Sequence, residues 1–576
     1  MTERIAISEE PMLAFDLAAD GETASLQGGL SARDAGIALA AIAPLALEAC
    51  GEGGSSSSGG GTPTPTPTTP PLTASQASRF LTQATMGASK TDITNLQATT
   101  IDAWLTTQLG LARPQKFWDF LATNGYNVVA NINSQAGFDA MMWSQLISSS
   151  DTLRQRVGLA LLDMIVVSID GFSSSWRSNV MAAYLDVLWD NAFGNYRDLI
   201  DGVASSAGMA YYLTFLGNTK ANAATGSVPD ENFARELMQL FTLGLYQLNA
   251  DGTQVLSGGK PVETYTQADV SGLARVWTGW NLVNSDNTTP DRMRLPLVNT
   301  ASQHETGVTT FLTTTIPAGT DGPNSKKLAL DAIFAHANMP PFVSKQLIQH
   351  MVTSNPSPAY VGRVSAIFAN NGNGVRGDMK AVIRAILTDS EARSDANVTS
   401  TSFGKLREPV VRLTQWARAF NVTSPTNLWP FGSTTSSATR LAESPGRAPS
   451  VFNFFRPGYT PPGSSVSAQG LVAPEFQIVN EPSVVAYINY MQTLITSGAG
   501  EAKADYSSLT GLIADSQALL NELNLILAAN QISAATITSL KAALDTIAVA
   551  TTAGQTNRLI AAIVLVMAAP EYLVQK

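Results

Sequence analysis

The sequence predicts a mainly α protein: one large multi-helix domain carrying a small β-hairpin and long loops. Three observations predict it. From Ala74 onward, apolar residues recur at the spacing of one helix face. Strand signals concentrate in one stretch, residues 247–266. No second low-complexity linker interrupts residues 74–576, so a single helical domain, with room for lobes, is expected there.

Bulk composition narrows the function classes. Hydrophobic residues make up 44% of the 576, enough to fill a large core. Charged residues make up only 14%, against about 25% in a typical globular protein. The resulting surface is polar and neutral, as is common among exported proteins. A formal net charge of −10 and no Lys/Arg cluster argue against nucleic-acid binding, which needs a basic stripe. A single cysteine excludes a disulfide framework and a cysteine-based structural zinc site.

The chain begins with features of export. Residues 35–47, AGIALAAIAPLAL, have the length of a signal-peptide apolar region and are too short to span a bilayer. Arg33 precedes them, and Leu47-Glu48-Ala49-Cys50 follows. The last four residues resemble a bacterial lipoprotein cleavage box with Cys50 as the lipidated residue. Glu48 departs from the small or apolar residue usual there, and the acidic stretch before Arg33 is long. Residues 51–73 are rich in Gly, Ser, Pro and Thr and read as a flexible, extended tether. Residues 1–50 are therefore expected to be an export signal. The mature protein is expected in the periplasm or at the cell surface, held to the membrane by lipid on Cys50.

Helix signals then follow in order. In residues 231–243, Phe233, Leu237, Leu240 and Phe241 form one stripe, and Gly244 supplies a stop. Residues 247–266 carry Asp251-Gly252 and Gly258-Gly259 turns, the expected hairpin. Thr266 and Asp269 form a capping-box variant. A helix is expected over residues 342–352. Ser357-Pro358 sets a cap and a first-turn proline, and Asp378 caps a helix striped by Met379, Val382, Ile383 and Ile386. Residues 506–573 give three further helices. Two helix ends echo each other, AILTDSEAR around Glu391 and LVMAAPEYLVQ around Glu571.

Several segments carry a resemblance: SRFLTQATMGAS (78–89), LRQRVGLALLDMIVVS (153–168), NAFGNYRDLI (191–200) and PDENFARELMQLFTLGLYQLN (229–249). To these are added YTQADVSGLARVWTGW (265–280), residues 353–393 and SVFNFFRP (450–457). Together they resemble the bacterial family described as domain of unknown function 1800, most specifically in the E-N-x-A-R-E-L block. The resemblance implies a mostly helical, secreted protein whose gene often neighbours that of a sulfatase-like exported protein, the partner it would suggest. It implies no established activity and no catalytic residues.

Five candidate sites emerge from the residues themselves. The first is Glu231, Asn232, Arg235 and Glu236. It reads either as an ion pair one helical turn apart or as a carboxylate pair held by an arginine for acid–base work. The second is the three histidines, His304, His336 and His350. Their spacing matches no metal motif, so surface or capping roles and no metal are expected. The third is a serine nucleophile. Ser402 and Lys405 match S-x-x-K, but the partner motifs stand in the wrong order or are missing. The fourth, residues 249–253, reads as a hairpin turn rather than a calcium loop. The fifth is aromatic: Trp277, Trp280 and Phe454, with Phe452 and Phe455, would bind a glycan or partner if exposed, and otherwise staple loops to the core. No phosphate loop, haem or flavin signature is present, so no cofactor is expected.

Two functional readings remain. One is a lipid-anchored envelope protein that binds or assembles, with the sulfatase-like protein as the expected partner. The other is an extracytoplasmic hydrolase using Glu231, Arg235 and Glu236.

Overall fold

The computed structural model describes residues 71–576. The export signal, Cys50 and nearly all of the tether lie outside the described residues.

The described chain is mainly α, with helices from Ala74–Ala84 to Pro570–Leu573 and only short two-stranded pairs. Local signals start the helices where expected. Thr266 accepts from Asp269 N in a capping box, Ser357 accepts from Tyr360 N ahead of Pro358, and Asp378 caps Met379–Thr388. The tail gives Ser516–Ala528, Ala534–Asp545 and Thr552–Ala568. None of the described helices is long and apolar enough to cross a membrane.

The hairpin forms within the expected stretch. Leu256–Ser257 pairs antiparallel with Lys260–Pro261 across the Gly258-Gly259 turn, and bridges Tyr246↔Glu263 and Leu248↔Gln254 continue it. Asn249–Gly252 is a tight turn, with Gly252 N donating to Asn249 O at 2.9 Å. Asp251 Oδ1 accepts from Thr253 N and Oγ1, which settles its side chain as a turn element.

The helix expected over 231–243 departs from the regular form. It runs as an ordinary helix over Asn232–Glu236 and widens over Leu237–Thr242. Leu243 N and Gly244 N both donate to Met238 O, and Thr242 Oγ1 donates to Leu237 O. The five-residue spacing from Leu243 to Met238, one more than in a regular helix, opens the turn by one residue. Gly244 then ends it at φ +79°, a conformation that suits glycine, with the Phe342 ring 2.7 Å from where a Cβ would lie.

The two echoing helix ends share one device. After Met379–Thr388 comes the one-turn helix Ser390–Arg393, and Glu391 accepts from both N and Oγ of Ser357. After Thr552–Ala568 comes Pro570–Leu573, and Glu571 accepts from Ser533 N and Thr536 Oγ1. In each case a glutamate ties a helix end to the serine that caps another helix, Pro358–Ala369 or Ala534–Asp545.

One continuous apolar cluster runs through the described chain, with Trp143, Trp176, Trp189, Trp277 and Trp416 fully buried. Val574–Gln575 pairs with Lys405–Leu406, and Gln575 Nε2 donates to Met351 O. That pairing holds residues 574–575 against the end of helix Met339–Met351, where the most charged part of the interior lies.

Candidate functional site

The helix Met339–Met351 positions the site, because its two sides serve different surroundings. Phe342, Lys345 and Gln349 line a cleft of about 840 Å³. The opposite wall is the hairpin, through Leu245, Tyr246 and Leu256, and the loop residues Phe452 and Leu471 close one end. Leu245 is 50% and Leu256 59% exposed, so this apolar wall faces solvent. A single buried side chain holds the wall to the helix. Asn338 Nδ2 donates to Leu243 O and Tyr246 O, and its Oδ1 accepts from Leu248 N at 2.8 Å.

The other side of the same helix turns His350 into a buried ionic cluster. Asp163 comes from helix Thr152–Met164, Lys405 from the strand Lys405–Leu406, and Glu408 from the cap of helix Pro409–Ala419. Glu443 enters from a loop and Glu475 from the short 3-10 helix Pro474–Ile478. Lys405 Nζ sits 2.9 Å from Glu408 Oε1 and 3.0 Å from Glu475 Oε1, and donates to His350 O at 2.7 Å. Arg156 also donates to His350 O, at 2.6 Å. Asn453 Nδ2 donates to Asp163 Oδ1 at 2.8 Å, and Val410 N donates to Glu443 Oε2 at 3.0 Å.

Burial and unequal pairing push these groups apart. Burial, aided by Glu408 and Glu443, holds the Asp163 carboxyl well above the carboxylate range. Burial next to Glu408 raises Glu443, and burial raises Glu475. For Glu408, burial opposes the charge but Lys405 and Arg156 outweigh it, so it is held low and ionised. Burial, with Lys405 nearby, drops the His350 imidazole to about 3, so the ring is neutral at physiological pH. Its 3.8 Å approach to Asp163 is therefore not an ion pair.

Phe454 separates this cluster from the outside. It lines both a cavity of about 10 Å³ beside Asp163 and Glu443, and an open cleft of about 620 Å³ that includes Asp170, Tyr212 and Arg447. A volume near 10 Å³ suits one water molecule.

The residues singled out from sequence fall elsewhere. Glu231 is half-buried and fully engaged. Ser271 Oγ donates at 2.5 Å, Gln267 Nε2 at 2.7 Å and Arg235 Nη2 at 3.1 Å. Burial opposes its charge, but the bonds from Ser271 and Gln267, with Arg235, together outweigh it and hold it below the usual range. It ties helix Asn232–Glu236 to helix Gln267–Ala274. Glu236 points inward instead, because five residues of helix carry it to the other side. Burial pushes it up to about 7, Arg235 offsetting this only in part, and its Oε2 has no partner among the described residues. The block therefore divides into a surface tie and a buried acid.

The aromatic expectations divide too. Trp277 is buried edge-on against Phe233, ring centroids 4.8 Å apart. Trp280 is buried, donating to Val276 O. Neither offers a free face, because both close the turn after helix Gln267–Ala274 onto the core. Phe452 lines the apolar cleft and Phe454 the polar one. The histidines correct the expectation of surface or capping positions for two of three. His304 is buried, with Nδ1 3.0 Å from Thr278 O, and His350 is buried in the cluster. His336 caps helix Gly322–Ala335. Ser402 is exposed while Lys405 is buried among carboxylates, so the S-x-x-K match has no geometry behind it. Sequence reasoning missed the cluster because its members lie in segments far apart. A lysine and a glutamate flanking Arg407 in an apolar context, Lys405 and Glu408, were the available signal.

Fold and site together define a large helical protein with an apolar surface cleft backed by a buried, acid-rich cluster. The model of the family Protein of unknown function (DUF1800) matches residues 79–574, and the chain belongs to that family. No curated protein and no solved structure matches it.

Proposed function

We propose that this chain is an exported, lipid-anchored envelope protein that works as a binding or assembly component and takes an apolar segment of a protein partner into the cleft between the hairpin and helix Met339–Met351. The observation that carries this reading is the cleft itself, about 840 Å³ with exposed Leu245 and Leu256 along one wall. An open apolar wall held rigidly by Asn338 is the form of a recognition surface. The signal-like start, Cys50 and the tether support placement at a membrane surface. The sulfatase-like exported protein is the partner we would seek first.

The test is affinity purification from the native envelope followed by quantitative mass spectrometry. The tag belongs in residues 51–73, because Val574–Gln575 is paired with Lys405–Leu406. A stoichiometric protein partner with the wild-type chain, lost with Leu245→Glu, is expected. A solitary protein would refute the reading.

A second reading, an extracytoplasmic hydrolase around Glu231, Arg235 and Glu236, is favoured by one observation. Glu236 is a buried acid near pKa 7, in the range of a general acid or base at neutral pH.

A further inference from the structure

We propose that Asp163, His350 and Glu408 bind a divalent first-row transition-metal ion. One carboxylate oxygen of Asp163, one ring nitrogen of His350 and one carboxylate oxygen of Glu408 lie within 4.8 Å of one another. They come from three separate segments, helix Thr152–Met164, helix Met339–Met351 and the cap of helix Pro409–Ala419, so the convergence is tertiary. The closest measured pair, His350 Nδ1 and Asp163 Oδ2, is 3.8 Å apart. An ion with tetrahedral ligands near 2.1 Å needs edges of about 3.4 Å. A small inward movement of the side chains closes the set.

Two independent observations point to a ligand. First, His350 is 7% exposed, and its Nδ1 lies 3.8 Å from Asp163 Oδ2, beyond hydrogen-bond reach. A buried imidazole and a buried carboxyl at that separation leave the spacing that an ion bound to both requires. Second, Asp163 Oδ2 and Glu408 Oε2 are buried and unpartnered, while the other oxygen of each carboxylate is already held, by Asn453 and Lys405. Each acid thus has one oxygen fixed and one free, the arrangement in which neighbouring side chains orient a metal ligand.

The cavity of about 10 Å³ beside Asp163 has room for one water oxygen, with Glu443 on its wall as an acceptor. One nitrogen and two oxygen donors suit zinc, manganese or iron(II) rather than calcium, which takes six to eight oxygens. The bound ion would lock helix Met339–Met351, whose outer side lines the apolar cleft, to the two segments behind it.

The experiment uses the full chain purified from the envelope. Elemental analysis by plasma mass spectrometry gives its metal content. After exhaustive chelation, calorimetric titration with Zn²⁺ and with Mn²⁺ gives the affinity, and thermal unfolding is followed with and without each ion. We expect about one equivalent of one ion per chain and a raised unfolding midpoint when it is restored. Binding should weaken at least about tenfold in His350→Gln and in Asp163→Asn, and remain in His336→Ala. A wild-type chain that is metal-free as purified, takes up neither ion and keeps its midpoint overturns the proposal, whether or not the variants fold. Binding that persists in both His350→Gln and Asp163→Asn overturns it as well, because the ion then sits elsewhere.

Discussion

Replacing Glu236 by Gln separates a buried neutral acid from a paired carboxylate, and its effect can be worked out in sign and size. Glu236 is 7% exposed, and burial raises its carboxyl from 4.5 to about 7. Each pH unit of such displacement is worth about 1.4 kcal/mol, so the native state loses about 3 kcal/mol once the side chain would be ionised in the unfolded chain. Below pH 4.5 both states hold the proton and no loss exists. The stability the proton provides is lost as pH rises towards 7, and the loss is complete above it. Glu236→Gln keeps the shape and removes the ionisation. Unfolding entropy near 2.1 cal/mol/K per residue over about 500 residues makes 1 kcal/mol worth about 1 °C. Scanning calorimetry of both proteins should therefore show equal midpoints at pH 4 and a variant about 3 °C higher at pH 8.5. A variant less stable than the wild type at pH 8.5, or a difference independent of pH, would show that Glu236 is ionised and paired, and would refute the reasoning. A hydrolytic turnover that disappears in the same variant while its stability rises would favour the second functional reading.

Other consequences are equally direct. Asn338→Ala strips partners from buried Leu243 O, Tyr246 O and Leu248 N, and should destabilise the chain by about 3–5 kcal/mol. Hydrogen exchange of residues 245–256 should quicken in that variant; unchanged exchange would mean that other contacts hold the hairpin. In Gly158→Ala the added methyl would lie 2.3 Å from the Trp189 ring, so a loss of about 1–3 kcal/mol in chemical denaturation is expected where alanine would otherwise favour a helix. Cys50→Ser should move the protein from the membrane pellet to the soluble fraction on envelope fractionation; an unchanged distribution would rule out lipid on that residue.

Much of the local architecture was legible because caps and turns depend on residues within three or four positions. Thr266, Ser357 and Asp378 cap the expected helices, and Gly258-Gly259 turns the hairpin. The echo between residues around Glu391 and Glu571 was visible as text, but its meaning was not. Each glutamate binds a serine some 34 or 38 positions away. The widening over Leu237–Thr242 was hidden as well, since a five-residue hydrogen-bond spacing leaves the apolar stripe readable as an ordinary helix.

The sequence by itself determined the mainly α class, the hairpin and the family, because periodicity, capping and turn chemistry act over short range. Only the tertiary structure decided which charged and aromatic residues matter. Glu231 and Glu236, five positions apart in the sequence, were divided by the turn of one helix into a surface tie and a buried acid. Trp277 and Trp280 were drawn into the core. Asp163, His350 and Glu408, more than two hundred positions apart from first to last, were brought within 4.8 Å. Helical periodicity says which face of a helix is apolar, but not which distant segment packs against it, and the chemistry of a buried charge depends on that neighbour.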